Sequence, residues 1–217
     1  MTRLILASGS PRRRELLALL NIPFDVVTAE ADENVAGGYD PVETAKAIAA
    51  AKARAVKALV GEGLVLAADT LVFYQGQLLG KPRDATEAQN ALSRMRGRWH
   101  SVITGLALSA DGGTLVVRAV ETRVKMRSYG LGEIASYVAS GEPMDKAGAY
   151  AIQDPAFHPV ARIDGCYANV MGLPLCAIYV LLGESGMSLP VDPAQACPRY
   201  LGIRCALVEK GSALAAA

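Results

Sequence analysis

Histidine is nearly missing from this 217-residue chain, with only His100 and His158, far apart in sequence and most simply read as structural. The four cysteines, Cys166, Cys176, Cys197 and Cys205, form no CxxC pair and have no histidine at zinc-ligand spacing, so they read as reduced thiols. A pairing of Cys197 with Cys205 stays open. Aromatic residues make up 6% of the chain, and no basic segment interleaves with them, which argues against binding polymeric nucleic acid. Charge of one sign is also lacking. The 22 Lys and Arg residues face 21 Asp and Glu, so any phosphate binding has to be local rather than the work of a broad field. No apolar run approaches the roughly 18 residues that would span a bilayer. The run Leu4 to Ala7 is too short, and too poorly flanked, for a secretory signal. These absences lead us to expect a cytoplasmic protein without membrane attachment.

What is present suits a folded globular protein: 52% hydrophobic and 20% charged residues. Residues 1–185 read as one domain and 186–217 as a C-terminal extension. The extension contains Pro190, Pro193 and Pro198, ends in SALAAA, and is expected to be partly disordered. RLILAS and FDVVTA read as strands, and Ser10-Pro11 as the cap and first position of a helix through Leu20. Asp40-Pro41-x-Glu43 opens a long alanine-rich helix that stops at Gly61. LVLAADTLVFY is strand-like, with a hairpin turn at YQGQ, and Asp84-x-x-Glu87 starts a helix ending near Gly97. WHSVITGLALS and TLVVRAVETRVKM form a long hairpin. A short helix near 131–140, a glycine-rich irregular stretch, two short strands and a helix after Pro174 complete the expectation. The fold class is α/β, a mixed β-sheet flanked by helices.

Three arginines, Arg12, Arg13 and Arg14, crowd the first turn of the first helix, where the macrodipole disfavours each cation by about 0.3–1 kcal/mol. On a helical projection Arg12 and Arg13 fall at the edges of the Leu16, Leu17, Leu19 and Leu20 stripe, while Arg14 points away. An anion held between inward guanidinium forks and the Ser8-Gly9-Ser10 approach resolves the conflict, making a phosphate cradle. The plainer alternative is a solvated basic helix start paired with nearby acids.

In the alanine-rich helix, Lys52 interrupts a stripe of Val42, Ala45, Ile48, Ala49, Val56, Leu59 and Val60, so it either snorkels or meets an anion. Lys46, Arg54 and Lys57 read as surface charges. Asp69-Thr70 breaks the apolar run Leu64 to Tyr74, placing a carboxylate at or near a strand end; a metal or lysine partner competes with a local turn role. Glu30, Asp32 and Glu33 form an acidic cluster that is either a solvated loop or a ligand set. Lys81 sits between Gly80 and Pro82, a backbone able to hold an ammonium rigidly. The Walker A spacing is absent, and Ser8 and Ser10 lack the nucleophile-elbow context. Inward cations with acidic points suit a small polyphosphate and a divalent metal.

The segments LILASGSPRRRELL, AADTLVF, LGKPRD, YVASGEPMDKAGAYAIQ and RIDGCYANVMGLPL resemble, in order, the signature segments of the Maf family of nucleotide pyrophosphatases, over roughly residues 3 to 183. The resemblance implies a Maf/ITPase-like α/β/α fold, usually a homodimer. It also implies metal-dependent cleavage of a nucleoside triphosphate between the α and β phosphates. By position it implies Asp69 as catalytic base, Arg13, Lys52 and Lys81 on the phosphates, and Glu33 helping with metal or water; Asp69 and Glu33 are the expected ligands of a divalent cation such as Mg²⁺ or Mn²⁺, and Ser8 of the cradle and Glu33 are expected among the substrate contacts. Arg12, Thr70 and Gln153 match the branch acting on dTTP and UTP rather than the one preferring 7-methyl-GTP. Asp154-Pro155 departs from the glycines common in relatives, and the segment beyond Gly186 has no counterpart we can place. The family is also associated with inhibition of septum formation, so a nucleotide-binding regulator without catalysis is the alternative.

Overall fold

A computed structural model describes residues 3–31 and 40–209. A mixed sheet runs β2-β1-β3-β5-β6-β7, with β4 pairing β3. Its strands are β1 (Leu4–Ala7), β2 (Asp25–Val26), β3 (Leu64–Tyr74), β4 (Gln77–Leu79), β5 (Trp99–Ser109), β6 (Leu115–Met126) and β7 (Val160–Asp164). β1 lies parallel to β2 and β3, and the remaining pairs are antiparallel. The helices are α1 (Pro11–Ala18), α2 (Pro41–Val60), α3 (Ala85–Met95), α4 (Leu131–Ala139), α5 (Tyr167–Val170), α6 (Leu175–Glu184), α7 (Pro193–Leu201) and α8 (Ala206–Glu209).

Local chemistry starts the helices where the sequence indicates. The Asp40 carboxylate accepts from the Val42 amide at 2.8 Å, Pro41 takes the first position, and Gly61 closes α2 at φ 74°. Asp84 accepts from the Glu87 amide at 2.8 Å to start α3. Because alternate strand residues face opposite sides, the sheet carries two different cores. On one face α2 packs over Ile5, Ala7, Val65, Ala67 and Ala107 through Ala49, Ala50, Ala53 and Val56. On the other, α1 and α6 cover Leu4, Leu6, Leu64, Leu66, Leu106 and Leu108. Farther along that second face, α3 and α4 cover Val72, Tyr74, Val102, Val124 and Met126.

Several expectations are corrected. FDVVTA pairs only at Asp25–Val26. Of the two short strands expected between the glycine-rich stretch and the helix after Pro174 one forms, β7, and the segment after it contains the short helix α5 instead. Leu59, assigned to the buried stripe of α2, is 67% exposed, whereas Ala53 and Thr44 are buried. Lys57 is no idle surface charge: its Nζ donates to the Gly63 carbonyl at 2.6 Å and pairs with Asp111, tying the end of α2 to the β5–β6 turn.

Part of the C-terminal extension docks on the domain. Cys197 of α7 is buried among the Leu16, Leu17 and Leu181 cluster, with Met187, Leu189 and Leu201 packed against it. All four thiols are free, and burial pushes Cys166 up to about 11 and Cys197 up to about 12. Among the described residues no helix is long and apolar enough to cross a membrane.

Candidate active site

The site is built where the sheet has a notch. β1 pairs with Leu64 to Ala67 of β3 and β4 pairs with Val72 to Tyr74 on the same edge, which leaves Ala68 to Leu71 between them. Asp69 and Thr70 lie in that gap, in the middle of β3, with Gly105 and Thr104 opposite them on β5. The sequence placed Asp69 near a strand end; the corrected position is mid-strand, and only the neighbouring edge ends there. Being adjacent, the two side chains leave on opposite faces, so one dipeptide serves both layers.

On the α2 face, Lys52 Nζ donates to Asp69 Oδ1 at 2.6 Å, with the two side chains 21% and 14% exposed. Lys52 therefore meets an anion, and the lysine alternative for Asp69 is the one realised. The bond aligns the carboxylate while both groups stay open to the cavity, which is the state a proton acceptor needs.

On the opposite face, the end of β1 turns through Ser8-Gly9-Ser10 into α1. Ser10 caps the helix, and Arg13 lies across the notch. Its Nε donates to the Gly172 carbonyl at 2.9 Å, Nη2 to Thr70 Oγ1 at 3.0 Å and Nη1 to Ser8 Oγ at 3.3 Å. Arg12 is half-buried, with Nη2 3.9 Å from Asp145 Oδ2, and Arg14 is exposed. In this structure the anion beside Arg12 is thus the protein's own. The two inward arginines and the outward third agree with the helical projection.

A cavity of about 1270 Å³ joins these parts. Arg12, Arg13, Lys52, Lys81 and Lys146 line it against the carboxylates Asp69 and Asp145, with Ser8 and Thr70 among its hydroxyls and Gln153 on its wall. Among the described residues, five cations against two carboxylates in one recess favour a polyanion, in a protein whose overall charge is near zero. The Lys81 turn is tied to the far wall by the Gly148 amide, which donates to the Gly80 carbonyl at 3.1 Å. Ser8, Arg12, Arg13, Lys52, Asp69, Thr70, Lys81 and Gln153 are therefore brought to one recess; Glu33 lies outside the described residues.

A model of Maf-like proteins matches residues 3–185. The chain belongs to the Maf-like protein family. It is 49% identical over 190 residues to a dTTP/UTP pyrophosphatase of Myxococcus xanthus, covering 87% of this chain and 95% of that one. A protein of the same name from Thermomicrobium roseum is 46% identical over 196 residues, 90% of this chain and 89% of the relative. One from Pelotomaculum thermopropionicum is 43% identical over 190 residues, 87% and 100% respectively.

One residue of this Maf-like protein's site, Lys146, carried no role in the sequence reading. Lys146 is 9% exposed, and its Nζ donates to Asp145 Oδ1 at 2.6 Å and to Glu142 Oε2 at 3.2 Å, so it holds the acid that faces Arg12. The adjacent acid and base of PMDKAG were the available signal. Behind the pocket wall, His100 Nε2 lies 2.8 Å from the Tyr150 hydroxyl. Burial lowers the His100 pKa to about 4, so the ring is neutral near pH 7 and structural, as the sequence suggested.

Between pH 6.5 and 4 the unfolded chain binds a proton at this position that the folded chain refuses, so stability rises with pH there. The contribution is complete above the unfolded value and is lost as pH falls through the folded one, on the order of 3 kcal/mol in all. The melting-temperature advantage of wild type over His100→Gln should therefore shrink between pH 7 and pH 4.5. Parallel pH profiles would refute this.

Proposed function

We propose that the protein hydrolyses nucleoside triphosphates between the α and β phosphates, with dTTP and UTP as preferred substrates and nucleoside monophosphate and pyrophosphate as products. The observation that carries this reading is the Lys52–Asp69 pair at 2.6 Å in a recess ringed by Arg12, Arg13 and Lys81. The cations bind and orient the triphosphate, and Lys52 stands beside the acid, where charge builds up on the phosphoryl oxygens. Asp69 accepts the proton of the attacking water. One P–O bond to the water oxygen forms as the anhydride P–O bond breaks, and pyrophosphate leaves with the electron pair.

The donor set suits a hard divalent cation: a carboxylate open to a phosphate-binding recess, completed by the nucleotide's own oxygens. Asp69, with Glu33 from outside the described residues, would hold Mg²⁺ or Mn²⁺. Such an ion would neutralise phosphoryl charge and acidify bound water. The relatives named as dTTP/UTP pyrophosphatases support the choice of substrate. Arg12, Thr70 and Gln153 on the cavity wall accord with it. We read the protein as a cytoplasmic homodimer acting on free nucleotides; the balanced net charge supports this over a polymer or a membrane as partner.

The test is product analysis with dTTP, UTP, CTP and 7-methyl-GTP, with and without Mg²⁺ or Mn²⁺. Pyrophosphate from the first two, lost on chelation, is expected. Orthophosphate instead would move the cut to the terminal anhydride, and unchanged dTTP would leave the nucleotide-binding regulator in its place.

A further inference from the structure

The protein spends much of its buried polar structure on a single side chain of the recess. Behind Thr70, which accepts from Arg13 Nη2 at 3.0 Å, lies the Thr104 hydroxyl at 2.9 Å; Thr104 in turn donates to the Asn169 carbonyl at 3.2 Å. Each hydroxyl owns one proton. That of Thr104 is committed to Asn169, so Thr104 receives the proton of Thr70, and Thr70 meets the guanidinium with a lone pair. The direction of the chain is thereby fixed from Arg13 inward.

Asn169 also controls the other side of the same guanidinium. Its carbonyl accepts from the Gly172 amide at 2.9 Å, closing the turn that presents the Gly172 carbonyl to Arg13 Nε. Gly172 has φ +108°, and a Cβ there would lie 3.3 Å from both Arg13 Nε and Thr70 Oγ1. The Asn169 side chain is fully buried, and Nδ2 donates to the Val102 carbonyl at 3.1 Å and to Thr122 Oγ1 at 3.0 Å. The turn is thus anchored to the neighbouring antiparallel strands β5 and β6.

We infer that Thr104 and Asn169 are positioning residues for Arg13, fixing the plane of its guanidinium through the Thr70 hydroxyl on one side and the Gly172 carbonyl on the other. Thr70 then acts on the nucleotide through Arg13, since its proton points inward and is not available to a phosphate or a base. The inference rests on the proposed reading of the recess as a triphosphate site.

A double-mutant cycle tests it. With pyrophosphate release from dTTP as readout, Thr104→Val should lower kcat/KM about tenfold, as expected for loss of one buried hydrogen bond to a charged group's partner. Thr104→Ser should stay near wild type. In an Arg13→Ala background the same Val substitution should change kcat/KM by less than about twofold, because coupled residues lose their effect together. Equal fold-losses in both backgrounds, or an unaffected Thr104→Val enzyme, would overturn the inference. If Thr104→Val does not fold, Thr104→Ala, which removes the same hydroxyl without adding a methyl group, replaces it in the cycle. Should no nucleotide be hydrolysed at all, the same cycle run on dTTP affinity by calorimetry still decides the brace, and the failure then belongs to the proposed reaction alone.

Discussion

Asp69→Asn is expected to lower pyrophosphate release by about a hundredfold to ten-thousandfold while leaving nucleotide binding in place, the range a positioned general base contributes. The substitution keeps the shape of a side chain mid-way along β3 and removes its charge, and with that its ability to take a proton and its hold on the proposed cation. Asn can still accept from Lys52, whose Nζ lies 2.6 Å from Oδ1, so the orientation of the side chain survives. What changes is the charge beside the ammonium: with the carboxylate gone, Lys52 keeps its positive charge for the triphosphate. Affinity for metal-free dTTP should therefore hold or rise as turnover falls, a split that misfolding cannot produce. Calorimetry beside the turnover assay reads both. A variant that retains wild-type kcat would place the base elsewhere in the recess.

Much of this site could be read from the chain because its conflicts are local. A lysine inside an apolar helical stripe, a carboxylate inside an apolar strand and cations on a helix start each violate a nearest-neighbour preference, and each is resolved in the notch of the sheet. The caps at Asp40 and Asp84 are equally local, and so were recovered. Long-range placement was not legible. Periodicity cannot tell that Leu59 stays exposed in the last turn of α2, or that Lys57 reaches a turn beyond the end of its own helix. Asp69 looked like a strand end because a charge breaks the pattern there. In fact the strand continues and its neighbours on one edge stop. Thr104 and Asn169 gave no signal, because a threonine in a β-hairpin and an asparagine in a short turn are ordinary residues until their partners are known.

The alanines of α2 show the same limit, and they set the largest structural effect expected of one methyl group. Gly105 faces Asp69 across the β3–β5 ladder, on the side that α2 covers. A Cβ at position 105 would lie 2.1 Å from the Ala45 carbonyl oxygen, 2.3 Å from its carbon and 2.8 Å from the Lys46 amide nitrogen. All three are backbone atoms, so no rotamer change relieves the clash and the helix has to move. It has little room, because Ala49, Ala50 and Ala53 press it against Ala7, Ala67 and Ala107 in a thin layer. Lys52 rides on that helix, two turns from the contact. Gly105→Ala should therefore cost about 3 kcal/mol or more, the upper end for overpacking. For a chain of this size that corresponds to a melting temperature lower by about 6–12 °C. Because a misplacement near 1 Å costs about a hundredfold in rate, kcat should fall by that order in the fraction that remains folded. Gly183→Ala, where the added methyl meets nothing within 4 Å, is the matched control. If Gly105→Ala melts with wild type and keeps its kcat, the close helix–sheet approach is not what sets Lys52 against Asp69.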